Sequence, residues 1–220
     1  MIRIDRLAAA TAVAIFAAGA AHAASFNVFT DRTAFEAAAT SLELETFNGV
    51  SGQPSFANTP LTVGDLTLQS TGTLSSDIER NAIDQPPTQF GSFDIDGTAV
   101  ANVLLTGGDD DFTITFADPI TAFFADFGAF NDEIQRTQIV VNGEQILPPV
   151  SPDDAGSSFG FISDMAFTSI LFTDFDGDND GFSIDNIAYG DGDLTAVPVP
   201  ATLPLLLGGL AIFGLMRRRA

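Results

Sequence analysis

The sequence lacks cysteine, lysine and tryptophan, and its one histidine is His22. Without cysteine, the chain has neither a disulfide framework nor a thiol nucleophile. Without lysine, a Schiff base cannot form, and removal of His22 with a leader would also exclude serine triads and histidine-ligated zinc. These absences predict a protein that is not an enzyme. A glycosidase that works with two carboxylates stays open, although no pair of acids stands out.

Residues 1–23 have the pattern of a secretory signal peptide. Two arginines precede an apolar run over residues 7–21, and Ala21 and Ala23 form a small-residue cleavage pattern. We therefore expect export and cleavage after Ala23. A retained first membrane span is the alternative, but the run is short and rich in alanine.

Basic residues are scarce between the two ends of the chain. Residues 24–196 keep three arginines against 28 acids, a net charge of −25. Such a surface repels nucleic acids and anionic membranes, and it attracts cations. Calcium is the expected cation outside a cell, because it prefers carboxylate and carbonyl oxygens.

For residues 24–196 the sequence pattern predicts one all-β domain, a two-sheet antiparallel sandwich with one short helix. Short apolar and polar alternations are separated by Gly, Pro, Asn and Asp. The predicted strands are 26–29, 42–47, 61–70, 100–106, 111–116, 120–127, 137–141, 144–147, 157–162, 167–173 and 182–189. Asn142-Gly143 predicts a type I′ hairpin turn, because both residues tolerate positive φ angles.

The helix, the phenylalanines and one insert complete the predicted domain. Thr33 and Glu36 have the spacing of a capping box in the alanine-rich stretch after Thr30. The 21 phenylalanines, with a single tyrosine, suit the interior of a sandwich. The loop-rich insert over residues 75–97 is expected at the surface.

The C-terminal residues 197–220 combine three features in a fixed order. They are the motif Val197-Pro198-Val199-Pro200-Ala201, an apolar segment over about residues 202–216, and the basic tail Arg217, Arg218 and Arg219. Residues 201–216 would span ~24 Å as a helix, slightly less than a ~30 Å hydrocarbon core. The arginines favour a cytoplasmic end, which leaves the preceding domain outside.

This tail resembles the PEP-CTERM sorting signal of Gram-negative bacteria, in its V-P-x-P-A variant. The resemblance implies recognition by an exosortase-type membrane protease, which cuts near the proline motif after transient anchoring in the inner membrane. Delivery to the cell surface, outer envelope or exopolysaccharide matrix would follow. Val199 stands where the commoner form has glutamate, which leaves the enzyme variant open. A C-terminal anchor that is never processed is the alternative.

Three short sequence segments of the domain also resemble segments of exported proteins with this tail. They are "FADPITAFFADFG", "SSFGFIS" with "FTSILF", and "DGFSIDNIAYG". The resemblance implies a jelly-roll-like sandwich and does not imply a reaction.

The stretch over residues 174–186 is the strongest candidate metal site. Asp176, Asp178 and Asp180, followed by glycine, form the first half of an EF-hand-type loop, in which alternating carboxylates meet at one ion. The second half is missing, because position 12 is isoleucine. Asp174 and Asp185 flank the loop and belong to the predicted calcium ligands. A solvated acidic turn is the alternative.

Asp185 and Asn186 interrupt the alternation of the last strand. A buried carboxylate needs a cation or several donors. The "IDN" triplet is similar to that of galactose-binding-like jelly rolls, which implies that Asp185 joins Glu43 or Glu45, preferably Glu45, on a structural calcium. A hydrogen-bonded polar pair at a strand end is the alternative.

The sequence therefore predicts an exported, non-catalytic protein of the cell surface or exopolysaccharide, stabilised by calcium and sorted through its tail. A carbohydrate-binding adhesin is the second hypothesis, with extracellular polysaccharide as its partner. The carboxylate-dependent glycosidase is the third.

Overall fold

The computed structural model describes residues 23–72, 80–85, 94–106, 110–131, 134, 136–150, 156–175 and 180–194. Eleven strands and one helix lie in these residues. The strands are β1 (Phe26–Phe29), β2 (Ala39–Glu45), β3 (Leu61–Val63), β4 (Leu66–Ser70), β5 (Ala82–Asp84), β6 (Val100–Leu105), β7 (Asp111–Gly128), β8 (Thr137–Val141), β9 (Glu144–Ile146), β10 (Ser157–Asp174) and β11 (Asp180–Gly192). The helix is α1 (Arg32–Ala38).

All strand pairs are antiparallel, and the strands form one continuous sheet that folds into two layers. The two long strands β7 and β10, of 18 residues each, pass from one layer to the other. The first layer has the order β5-β6-β11-β7-β10-β1, and β2 also pairs with β11. The second layer has the order β3-β4-β7-β10-β8-β9. The predicted antiparallel β-sandwich with one short helix is confirmed at this level.

Phenylalanines fill the space between the layers, which we call the inner core. In the first half of β7, Phe112, Ile114 and Phe116 are buried and alternate with more exposed residues, because successive side chains of a strand point to opposite faces. Among the described residues, the twelve largest fully buried side chains are all phenylalanines, and ten of them lie in the inner core. Phe127 and Phe130 stack with their ring centroids 4.5 Å apart. The prediction that the phenylalanines build the core is confirmed.

The outer face of the first layer is covered by α1. Phe35 of the helix is fully buried, and its ring centroid lies 5.1 Å from that of Phe124 on β7. Ala122, Ile162 and Ala188 complete this smaller cluster. The helix begins after Asp31, whose carboxylate accepts a hydrogen bond from the Ala34 amide at 2.7 Å. The predicted capping box at Thr33 is therefore wrong, because Asp31 occupies the N-cap.

Several predicted boundaries also change. The pairs 111–116 with 120–127 and 157–162 with 167–173 are single long strands, and 61–70 is a hairpin that turns at Gly64. The Asn142-Gly143 turn is confirmed, with φ angles of 53° and 82°. The insert over residues 75–97 is not wholly at the surface, since it contains the buried strand β5, which pairs with β6.

Most of the predicted export and sorting features lie outside the described residues. These are the leader up to residue 22, the motif 197–201, the membrane helix 202–216 and the arginines 217–219. Ala23 is described and is exposed. In the described part of the chain, none of the helices has the length and apolar character needed to cross a membrane.

Candidate functional site

A β-bulge in β11 sets the position of the polar residues in this strand. Ile184 and Ile187 both pack in the inner core, although residues three apart in a regular strand lie on opposite faces. The register with β7 shifts between Asp185 and Ala188, and Asn186 has a φ of 50°. Such an extra residue re-aims the side chains beside it. Asp185 directly follows the inward-facing Ile184 and therefore lies on the outer face of the first layer, and the bulge after it returns Ile187 to the inner face.

Asp185 is a buried carboxyl group with an incomplete set of partners. Its exposed fraction is 0%, and its Oδ1 atom has no hydrogen-bond partner among the described residues. Its strand partner on β7 is a second acid, Asp126. Burial raises the pKa of Asp185 to about 7, against the opposing hydrogen bonds from the Asn186 backbone and the Thr98 side chain. The charges of Asp96 and Asp126 act in the same direction as burial.

The loop before β6 brings a third carboxylate to this place. Thr98 donates its backbone N–H to Asp96 Oδ1 at 3.0 Å, and its hydroxyl oxygen lies 2.5 Å from the same atom. The Thr98 hydroxyl is also 3.3 Å from Asp185 Oδ2. A hydroxyl has one hydrogen, so it cannot fully satisfy both carboxylates. The hydrogen bond from Thr98 holds the pKa of Asp96 below its usual range, with a smaller contribution from the Asn186 amide.

Among the described carboxylates, Arg32 of α1 forms its ion pair with Asp126. Its Nη2 atom lies 3.0 Å from Asp126 Oδ2 and donates to the Asn186 carbonyl at 2.8 Å. The guanidinium carbon lies 4.8 Å from the centroid of the Phe124 ring. Ser158 donates to the other oxygen of Asp126 at 2.7 Å. Arg32 is therefore held in place by an ion pair, a hydrogen bond and a cation–π contact.

Arg32 lines a groove of 310 Å³ on the outer face, between α1, β2 and β11. The other lining residues are Glu36, Leu42, Glu43, Leu44, Asp126, Asn186 and Ala188. Leu44 is 61% exposed and pairs with Ala188, so these two side chains share the outer face. The Glu43 carboxylate faces the other side, where it accepts a hydrogen bond from the Tyr189 hydroxyl at 3.0 Å. The groove thus combines an apolar floor with the polar side chains of α1, β7 and β11.

Burial, followed by the hydrogen bond to Glu43, raises the pKa of Tyr189. Tyr189 belongs to the inner core and is 8% exposed. Its hydroxyl therefore stays a hydrogen-bond donor at neutral pH.

The predicted calcium ligands occupy two places and not one. Asp174 pairs with Thr137 of β8, and the Thr137 hydroxyl donates a hydrogen bond to the buried carboxylate of Asp180. Asp174 and Asp180, the two ends of the predicted loop, therefore both lie next to Thr137. Asp185 lies five residues beyond Asp180 in the same strand, roughly 16 Å away. Asp180 and Asp185 therefore cannot bind one ion.

Calcium in the 174–180 loop stays a prediction. Asp176 and Asp178 lie outside the described residues. Among the residues that are described, no three acids or histidines are grouped in a way that could hold a metal ion.

Glu45, the preferred partner of Asp185, is not placed beside it. Glu45 pairs with Ile187, whose side chain packs in the inner core. One oxygen of Glu45 accepts a hydrogen bond from the Phe47 amide at 2.7 Å. Asp185, in contrast, faces outward next to the inward-facing Ile184, and the bulge at Asn186 separates its face from that of Ile187. The two carboxylates thus lie on opposite faces of the layer.

Asp96, Thr98, Arg32 and Asp126 were not predicted from the sequence as site residues. The phrase "DIDGT" over residues 94–98 carries two alternating aspartates and a glycine, as the predicted metal loop does. This pattern could have identified Asp96 as a candidate metal ligand. No local pattern marks Arg32 or Asp126, because strand pairing and the docking of α1 bring them together.

Comparisons with known proteins give no family for this chain. No protein-family model matches, and no curated protein matches. A variant of a family 29 carbohydrate-binding module has 14% identity and a TM-score of 0.39, and the match covers 73% of this chain and all of that chain. A second family 29 module has 13% identity and a TM-score of 0.36, with coverage of 81% and 99%.

A further variant of the family 29 module, complexed with mannohexaose, has 15% identity and a TM-score of 0.34. This match covers 69% of this chain and 93% of that chain. Similarities of this size carry no inference about function.

Proposed function

We propose that this chain is an exported, non-catalytic β-sandwich protein of the cell surface or exopolysaccharide, and that it binds carbohydrate in the groove between α1, β2 and β11. The non-catalytic part of the proposal is supported by the absence of cysteine and lysine and by the position of the single histidine in the predicted leader.

The fixed position of Arg32 is the observation that carries carbohydrate binding. Its contacts within the described residues use Nη2, which leaves the Nε and Nη1 hydrogens for a ligand. A guanidinium that is already ordered loses little side-chain entropy when a ligand binds. Arg32 thus supplies directed donors for sugar hydroxyl groups.

The rest of the groove suits a pyranose ring, which has polar edges and an apolar C–H face. The exposed side chain of Leu44 and the neighbouring Ala188 offer an apolar surface beside Arg32. Glu36 adds a carboxylate that accepts hydrogen bonds from hydroxyl groups. Since Asp126 neutralises Arg32, the groove has no excess positive charge that would select acidic sugars.

A glycan array probed with the full-length chain tests this function, in a detergent that has no sugar headgroup. We expect binding that Arg32→Gln and Leu44→Ala each weaken. Arg136→Gln removes the same type of charge at the start of β8 and should leave binding unchanged. The carbohydrate proposal fails if no glycan binds, or if Arg32→Gln and Arg136→Gln bind equally well.

Export and sorting are the second part of the proposal. The leader pattern and the tripartite tail support delivery through the inner membrane and processing by an exosortase-type protease. In a host that carries such a protease, a chain with Pro198→Ala and Pro200→Ala should accumulate in the membrane as the longer, unprocessed form. Equal processing of this variant and the natural chain would indicate that the motif plays no part.

A further inference from the structure

We propose that Asp96 and Asp185, together with the Thr98 hydroxyl, form a binding site for a hard divalent cation such as calcium on the outer face of β11. The site is separate from the loop over residues 174–180. It does not depend on the proposed binding of carbohydrate.

The unpartnered oxygen of Asp185 is the first observation. Buried side-chain oxygens almost always have a hydrogen-bond partner, and each exception requires an explanation. Oδ1 of this fully buried side chain has no partner in the described part of the chain, and Oδ2 shares the single Thr98 hydrogen with Asp96. A cation would supply the partner that this Asp185 oxygen lacks.

The charges that face Asp185 give the second observation. Asp126 lies directly opposite on β7, and Asp96 approaches from the loop before β6. Arg32 reaches this region from α1, but its ion pair is with Asp126. Like charges opposite each other destabilise a sheet unless they are compensated. Within the described residues, Asp96 and Asp185 face no cation of their own.

The donor atoms match the chemistry of calcium. Calcium binds six to eight oxygen ligands in flexible geometry and accepts carboxylates, hydroxyls, carbonyls and water. Asp96 is exposed, so the site is open to solvent on one side. A space of 250 Å³ lies beside Thr98 and is lined also by Asn48, Gln85 and Ala99.

The loop that carries Asp96 is held in one conformation by hydrogen bonds, before any ligand binds. Asp94 Oδ1 accepts a hydrogen bond from the Gly97 amide at 2.6 Å, and Gly97 has a φ of 80°. This turn places Asp96 and Thr98 beside Asn186, whose amide donates to Asp96 Oδ2 at 3.3 Å. Binding would therefore require little change in the backbone.

Calcium titration of the full-length chain tests the proposal, by calorimetry and by thermal unfolding at constant ionic strength. We expect saturable binding and a rise in Tm. Asp96→Asn, which changes an exposed residue, should weaken calcium affinity at least about tenfold, as loss of a supporting group commonly does in metal sites. Asp185→Asn should have the same effect. Glu144→Gln removes one charge in β9, far from the site, and should retain the natural affinity.

Two further variants separate this site from the other predicted ones. Asp178→Asn tests the 174–180 loop, and Glu45→Gln tests the inner-face carboxylate; both should leave the affinity of the Asp96–Asp185 site unchanged. Absence of calcium binding, or natural affinity in Asp96→Asn, would overturn the proposal. Loss of all binding in Asp178→Asn alone would place the ion in the loop instead. A negative glycan array would not affect any of these results.

Discussion

The two faces of β11 use the same short stretch of chain in opposite ways. On the inner face, Phe182, Ile184 and Ile187 are fully buried among other apolar side chains. On the outer face, one residue away, Asp185 is equally buried but lies among acids, and its Oδ1 atom has no hydrogen-bond partner among the residues that the structure describes. Burial stabilises the first group through the hydrophobic effect, and it destabilises a charged carboxylate. The inner face thus accounts for stability, and the outer face is where ligands are expected.

Truncation of an inner-core phenylalanine should have the largest effect. Phe127 is fully buried and contacts Phe130, Phe172 and Phe182. We expect Phe127→Ala to lower the free energy of unfolding by about 3–5 kcal/mol, because it removes buried area and leaves a cavity.

Urea denaturation measures this change. Phe175→Ala is the matched control, because Phe175 is 45% exposed, and it should change the free energy by less than about 0.5 kcal/mol. Similar losses in the two variants would show that the inner core is not the main source of stability.

Close packing below α1 should give the next largest effect. A Cβ atom on Gly160 would lie 2.4 Å from the Phe123 carbonyl oxygen and 2.5 Å from Phe124 Cδ2. We expect Gly160→Ala to cost about 1–3 kcal/mol, since β7 and β10 must move apart. A Cβ atom on Gly49 would meet no atom within 4 Å, so Gly49→Ala is the control for the glycine-to-alanine change. Equal stability of both variants in thermal unfolding would refute the packing argument.

The N-cap of α1 should give the smallest effect. Asp31→Ala removes the acceptor for the Ala34 amide and should cost about 1 kcal/mol. Asp31→Ser should recover most of this loss, because serine is also a good N-cap residue. Denaturation of the three proteins side by side measures both changes. If Asp31→Ser is as unstable as Asp31→Ala, the carboxylate has some other role than capping.

The fold could be predicted from the sequence where local pattern determines structure. The Asn142-Gly143 turn and strand β1 are found where they were predicted, because turn chemistry and alternation act over a few residues. The insert over residues 75–97 was misjudged. Its strand β5 has only three residues, and its burial depends on pairing with β6 and not on its own pattern.

The candidate site was predictable only in part. The interrupted alternation around Asp185 and Asn186 marked an unusual position, and the structure explains it by a bulge. Glu45 was expected beside Asp185 from the resemblance of the "IDN" triplet to galactose-binding-like jelly rolls. The bulge turns Ile187, and with it the paired Glu45, to the face opposite Asp185, and a single extra residue of this kind cannot be located from alternation alone.

The pH dependence of stability tests the contrast between the two faces most directly. The folded-state pKa of Asp185, about 7, exceeds the value of about 3.9 for an unfolded chain. Between these values the folded state binds more protons than the unfolded state, so this residue's contribution to stability falls as pH rises towards 7 and is constant above it. The full loss is up to about 4 kcal/mol.

The free energy of unfolding should therefore be measured from pH 4 to pH 8, in excess chelator, for the natural chain and for Asp185→Asn. We expect the natural chain to lose stability relative to Asp185→Asn as pH rises. Added calcium should reduce this difference at pH 8, because a bound cation stabilises the charged carboxylate. Parallel curves for the two proteins in chelator would contradict the account, since they would mean that Asp185 is buried in the folded state at no electrostatic cost.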